Sequence, residues 1–247
     1  MKLFEATGLS KRFGAQVVLQ DINLAFTEGQ LSGIMGPNGA GKTTCFNVLT
    51  GLYKPDRGTV RFGGEDITGL SPRTIACKGV SRSFQIMNLF DDYTALDNVM
   101  VATPHVRKQG FNPWRDLGAD STAQQLAASI LDRVGLKGQE HVIASSLSYG
   151  QRRALEIGVA LAAEPRILFL DEPTAGLGAE GTARLAELIN TLKRQLTIVI
   201  IEHDMNFLFS LADQISVIHW GQVIAQGTPT ELRQNEWVRR SNLGALA

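Results

Sequence analysis

The sequence predicts an α/β fold with a mostly parallel sheet, an N-terminal antiparallel β part and an inserted α-helical subdomain. Three observations predict it. Short β-rich runs alternate with segments of helical periodicity, as strands joined by crossover helices do. Two of those runs, "LSGIM" and "RILFLD", are apolar almost throughout, which suits strands buried in the middle of a sheet. From about Ile86 to Ala163 the β-branched runs largely vanish, so that stretch reads as a helical insertion.

Taken in order, the expected strands are "LFEATGL", "VVLQDINLAF", "LSGIM", "TVRF", "VSRSF", "RILFLD", "TIVIIE" and "QISVIHW". Leu126, Ile130, Leu131 and Val134 mark one amphipathic helix, and Leu185, Leu188, Ile189 and Leu192 mark another. The stretch "TPHVRKQGFNPWRDLGADST" mixes Pro, Gly and charge without period and is expected to be a loop or surface insertion. The division expected is a catalytic core over residues 1–85 and 164–247, with a helical subdomain over 86–163, all within one domain.

A chain of 247 residues with 44% apolar content can bury a sizeable core. Lys plus Arg equals Asp plus Glu at 24 each, so no net field draws in nucleic acid or anionic lipid, and no nucleic-acid partner is expected. The two cysteines, Cys45 and Cys77, lack metal spacing and are expected as small buried hydrophobes in a reducing compartment. No run approaches the ~18 apolar residues of a membrane span, and "MKLFEATGLSKRF" has no apolar core of a signal peptide. A soluble, cytoplasmic chain is the expectation.

The stretch "MGPNGAGKTT" follows the strand "LSGIM" and leads into the helix-like "TTCFNVLTGL". It fits GxxxxGK-S/T with Gly36, Gly41, Lys42 and Thr43. Glycines let successive backbone N–H groups curl toward one anion, so the loop from Gly36 through Pro37, Asn38, Gly39 and Ala40 to Thr44 reads as a phosphate cradle. Lys42 can reach the β- and γ-phosphates, and the Thr43 hydroxyl can meet Mg²⁺. The plain alternative is a glycine-rich turn between strand and helix.

"RILFLDEPTAGL" carries the next signal. The apolar run delivers Asp171 at its carboxyl end, where a P-loop triphosphatase needs a carboxylate for Mg²⁺. Glu172, one position on, can orient or deprotonate the water that attacks the γ-phosphate. A helix cap or solvated turn is the bland reading of such an acidic pair, and the neighbouring cradle argues against it. No NKxD guanine-reading motif occurs. In "LSYGQRRALEIGVALAAEP", Ser148 and Gly150 stand at the start of a helix whose buried side carries Leu155, Ile157 and Leu161. A helix N-terminus of that kind binds anions.

With these motifs in order, nearly the whole chain resembles the ATPase subunit of an ATP-binding cassette transporter, whose signature LSGGQ reads LSYGQ here. The resemblance implies ATP and Mg²⁺ as cofactors. It implies a head-to-tail dimer with a second such ATPase, identical or a paralogue, in which each ATP lies between one P-loop and the partner's Ser148, Gly150 and Gln151. It further implies that Gln85 joins the Mg²⁺ and water region to the helical subdomain, that His203 contacts the γ-phosphate, and that Phe13 stacks on adenine. The implied partners are membrane permease subunits, docking near Met87 and Phe90, and indirectly a solute-binding protein. The implied place is the cytoplasmic face of the membrane, held peripherally.

Two positions depart from the family pattern. Gly178 stands where an aspartate commonly crosses the dimer interface, and Tyr149 replaces the first signature glycine. "SRSFQIMNLFDDYTALDNV", "LSYGQRR", "EHDM" and "SNLG" resemble the branch of branched-chain amino acid importers and their urea or amide relatives. A soluble cassette ATPase without transport, or a transporter ATPase for another solute, are the alternatives. A small-molecule kinase would lack LSYGQ, and a nucleotide sensor would not need Glu172.

Overall fold

A computed structural model describes residues 1–83, 88–104, 106, 120–236 and 238. Its strands form two sheets. A four-stranded antiparallel sheet has the order β2-β1-β4-β5, from β1 (Lys2–Phe13), β2 (Gln16–Thr27), β4 (Arg57–Phe62) and β5 (Glu65–Asp66). A six-stranded sheet has the order β10-β9-β3-β8-β7-β6. Its members are β3 (Leu31–Met35), β6 (Val80–Arg82), β7 (Ile167–Asp171), β8 (Thr197–Ile201), β9 (Gln214–His219) and β10 (Gln222–Gly227). Only β10 runs antiparallel to its neighbour.

Strands β3, β7 and β8 are buried at every residue, because both faces of the parallel sheet are covered. On one face the antiparallel sheet and helix α1 (Lys42–Leu49) close a core of Phe4, Phe26, Phe46, Phe62 and Phe169. Phe169 is its hub, with ring centroids 5.3 Å from Phe4, 5.8 Å from Phe46 and 6.0 Å from Phe26. On the other face lie α3 (Ala95–Met100), α4 (Ser121–Arg133), α5 (Tyr149–Leu161), α6 (Ala179–Leu192) and α7 (Met205–Leu211). Helix α2 (Pro72–Cys77) follows β5, and α8 (Pro229–Gln234) follows β10.

The expected helices are present in α4 and α6, with Ile130, Leu131, Leu185, Ile189 and Leu192 buried. Strands β5 and β10 and helix α2 were not among the expected elements. Cys45 is buried as expected, and burial pushes its thiol up to about 12. Cys77 is exposed, contrary to expectation. It ends the six-residue helix α2, of which only Ile75 reaches the core. The expected loop or insertion over residues 103–122 lies largely outside the described residues, but its last two, Ser121 and Thr122, open α4 instead, because Asp120 caps a helix there. Asp120 at its end is buried and caps α4 by accepting from the Ala123 N–H at 3.1 Å.

Candidate nucleotide-hydrolysing site

Parallel register brings the carboxyl ends of three strands to one level, the edge where open α/β sheets bind ligands. Ile34 pairs with Ile201, and Asp171 pairs with the same Ile201. The loop after β3, the turn after β7 and the turn after β8 therefore open side by side. They carry Lys42, Glu172 and His203 respectively.

The loop after β3 is folded on itself. Lys42 is buried and donates from Nζ to the carbonyls of Gly36 at 2.7 Å and Pro37 at 3.0 Å. Burial pulls its ammonium below the ordinary lysine value, while the carboxylates of Glu172, Asp171 and Glu202 pull it upward. Gly36 is required by its surroundings, since a Cβ there would stand 2.1 Å from the Ile218 carbonyl oxygen. Ala40 accepts from the Gly221 N–H at 3.0 Å, which ties the loop to the β9–β10 hairpin. Asn38, Gly39 and Thr43 are exposed and Thr44 is half-buried, so backbone donors at the start of α1 face open space.

Asp171, the last residue of β7, is almost wholly buried. Burial first, then the neighbouring Glu172, raises its carboxyl to about 6, against the opposing pull of Arg82 and Arg153. Its Oδ1 is buried without a hydrogen-bond partner. An orphaned carboxylate oxygen suits a hard divalent cation, which takes oxygen ligands and would restore the charged form. Among the described residues no three His, Cys, Asp or Glu side chains cluster as a metal cage. A Mg²⁺ here would thus draw on Asp171, the Thr43 hydroxyl and phosphate oxygens.

Glu172 follows with φ of 43°, an uncommon backbone region for a residue with a side chain. Its N–H donates to the Ile201 carbonyl at 2.9 Å. Its Oε1 lies 3.9 Å from His203 Nδ1. The His203 side chain is more than half exposed.

Helix α5 begins at the expected motif. Ser148 is its N-cap, and a capping box joins it to Gln151: the Ser148 N–H donates to Gln151 Oε1 at 2.9 Å, and the Gln151 N–H to Ser148 Oγ at 3.3 Å. Ser148 and Gly150 are exposed, as an anion-binding helix end must be. Tyr149 lies against the loop after β7, where its hydroxyl donates to the Ala175 carbonyl at 3.0 Å. Its ring fills the space a Cβ on Gly176 would need, 2.8 Å from the hydroxyl, and Gly176 also has φ of 77°. A Cβ on Gly178 would meet nothing within 4 Å, so no packing demands glycine there.

Phe13 ends β1 partly exposed, its ring met edge-on by Tyr53 at 5.3 Å. Gln85 and Met87 lie outside the described residues. Ser83, two residues before Gln85, accepts the Asp171 N–H at 3.3 Å through its hydroxyl.

Sequence reasoning missed two charged residues at this edge. Arg153, buried on α5, donates to the carbonyls of Asp171, Glu172 and Pro173 at 3.0, 2.9 and 3.2 Å and pairs with Glu156 at 2.6 Å. Glu202 is fully buried and lies just past β8. Its signal was present: "TIVIIE" ends in an acid after an apolar run, as "RILFLD" does.

The family profile described as ABC transporter matches residues 19–175, more than half of the chain. The chain belongs to the ABC transporter family. Proteins with similar sequences include the high-affinity branched-chain amino acid transport ATP-binding protein BraF of Pseudomonas aeruginosa, 40% identical over 98% of both chains. LivG of Escherichia coli, under the same description, is also 40% identical over 98% of both chains. Among solved structures, the ADP conformation of MJ1267, an ATP-binding cassette of an ABC transporter, superposes with a TM-score of 0.88 over 99% of both chains at 28% identity. The chain is accordingly an ABC ATPase, binding nucleotide and hydrolysing ATP as the ATPase of a transporter.

Proposed function

We propose that this ATPase powers import of branched-chain amino acids or a related amide such as urea. The observation that carries the substrate reading is the end-to-end match to BraF and LivG, reinforced by tyrosine in the signature. Within the site, the P-loop from Gly36 to Thr44 cradles the phosphates, Lys42 meets the β- and γ-phosphates, and Asp171, Thr43 and Gln85 hold Mg²⁺. Glu172 activates water, His203 contacts the γ-phosphate and Phe13 stacks on adenine. The organisation that goes with these roles is a core over residues 1–85 and 164–247 with the helical subdomain over 86–163.

Ser148, Gly150 and Gln151 complete the site of a second ATPase in a head-to-tail dimer. Binding then draws γ-phosphates into the interface, and their loss on hydrolysis removes the differential contact that held it closed. Among the described residues no helix is long and apolar enough to cross a membrane. The match to importer ATP-binding proteins supports a chain that reaches the bilayer through permease subunits, as a peripheral protein of the cytoplasmic face. A solute-binding protein acts indirectly, through those subunits. Uptake of labelled leucine, valine and urea tests the substrate in cells whose copy carries Glu172→Gln. Selective loss of leucine and valine uptake supports the amino-acid branch, and selective loss of urea uptake the amide branch. If all three persist although the variant no longer hydrolyses ATP, the transported solute is another.

The docking surface is proposed at Phe90, whose side chain is 57% exposed beside the 60% exposed Tyr93, with ring centroids 5.8 Å apart. Leu89, by contrast, packs against the core. Buried Asn98 holds the Phe90 backbone at both ends: its Oδ1 accepts the Phe90 N–H at 2.8 Å and its Nδ2 donates to the Phe90 carbonyl at 3.0 Å. The ring is thus presented on a fixed support, which suits a groove for a short helix. Phe90→Asp is expected to weaken association with the permease by roughly 2 kcal/mol, about thirtyfold, because an unpaired carboxylate loses hydration there. Co-purification from detergent measures this, with a thermal melt of the isolated ATPase alongside. Retained association would move the docking site elsewhere, and a collapsed melt would make Phe90 a packing residue.

A further inference from the structure

We infer that Glu202 is a positioning residue for ATP hydrolysis: its buried carboxylate joins the turn carrying Glu172 to the turn carrying His203 and sets their spacing. The inference rests on the roles proposed above for those two residues.

A fully buried carboxylate is costly unless its oxygens are hydrogen-bonded. Glu202 satisfies that demand by gripping two loops. Its Oε1 accepts from the Thr174 N–H at 2.9 Å and from the Thr174 hydroxyl in a shorter contact. Its Oε2 accepts from the His203 N–H at 2.9 Å and the Asp204 N–H at 3.3 Å, and lies 3.6 Å from His203 Nδ1. Each of these contacts goes to the turn after β7 or the turn after β8. The first turn begins with Glu172 at φ of 43°, and such a backbone persists only where its surroundings fix it from several sides. Arg153 holds the carbonyls of that turn from α5, and Glu202 holds its Thr174 end from β8. Glu172 Oε1, on the first turn, and His203 Nδ1, on the second, stand 3.9 Å apart.

A carboxylate can do this and an amide cannot. Both oxygens of Glu202 face donors, whereas glutamine presents one acceptor and one donor. Whichever way the amide turns, one loop meets a donor instead of an acceptor. Glu202→Gln therefore keeps the volume and releases one side of the bridge. Thr174→Val removes only the hydroxyl contact and leaves the Thr174 N–H in place.

The test is steady-state ATP hydrolysis by the full chain for Glu202→Gln, Thr174→Val and the double variant, each with a thermal melt. The expected result for Glu202→Gln is a kcat about tenfold lower with KM within about twofold, as loss of charge-assisted hydrogen bonds acting on the catalytic geometry alone would give. Thr174→Val should lower kcat less, and the double variant should fall short of the product of the singles, since both act on one bridge. An unchanged kcat in Glu202→Gln overturns the inference. So does a kcat that falls only in proportion to the folded fraction, which would make Glu202 a fold staple. Should Glu202→Gln fail to fold, Thr174→Val decides by the same split: kcat lowered at constant KM supports the bridge, and unchanged kcat overturns it. Normal turnover in Glu172→Gln would instead point to an error in the assignment of the base, separating that failure from this one.

Discussion

Glu172→Gln is expected to bind ATP with near-normal affinity and to hydrolyse it ~10²- to 10⁴-fold more slowly, a barrier increase of about 3–5 kcal/mol. The substitution keeps the volume of the side chain and a carbonyl acceptor, and the backbone that places it does not depend on the carboxylate. The Glu172 N–H is held by Ile201 and its carbonyl by Arg153. What disappears is the group able to take a proton from the attacking water. The ammonium of Lys42 also loses the strongest of the three carboxylates that act on it, so the phosphate meets a slightly more positive cradle and binding does not suffer. Released phosphate measures the chemistry, and equilibrium titration measures the binding. A sizing column run with ATP should show the variant accumulating as a dimer, because the closed state no longer resolves. Normal turnover would move the base elsewhere, with His203, 3.9 Å away, the next group to test.

The parts of this site legible in the sequence are those encoded locally. A phosphate cradle needs glycines, lysine and threonine at fixed spacing between one strand and one helix, so a ten-residue window contains the information. Asp171 was legible for a related reason: a buried strand has no cause to end in a charge unless the charge is used there. Glu202 offered the same cue but was read as the end of its strand, with His203 taking the functional role. What stayed hidden depends on chain segments meeting across long separations. Tyr149 reaches Ala175 and Arg153 reaches the turn after β7, contacts between positions about twenty or more apart that no periodicity encodes. Short elements were hidden as well. Helix α2 is too brief to show a helical period, and β10, "QVIAQG", is an edge strand that is only partly buried, so its apolar signal is weak. Cys77 was misplaced for the same reason, since in a helix of less than two turns nothing shows which side faces the solvent. Phe90 was legible as an exposed residue and is 57% exposed, while its neighbour Leu89 packs against the core; the grip of Asn98 on the Phe90 backbone was not legible.

Lys42→Ala is expected to weaken ATP binding by about one to two decades, the counterpart of losing a charge-assisted contact worth about 1.5–3 kcal/mol. Without nucleotide the ammonium rests on the carbonyls of Gly36 and Pro37, so to reach a phosphate it must exchange two neutral acceptors for a charged one. That exchange favours the bound state, since a hydrogen bond to an anion is stronger than one to a carbonyl. Burial already holds the ammonium below its ordinary value, and an incoming phosphate restores compensation for it. Alanine removes this gain and leaves the backbone donors of the loop and of α1 in place, so residual affinity should survive. It also removes a cation that interacts with Glu172, Asp171 and Glu202, which makes the edge more repulsive to a polyanion. Calorimetric titration with ATP and with ADP separates the two contributions. If Lys42 acts chiefly on the terminal phosphates, ATP should lose more than ADP; if ATP affinity is unchanged, the loop after β3 is not the cradle.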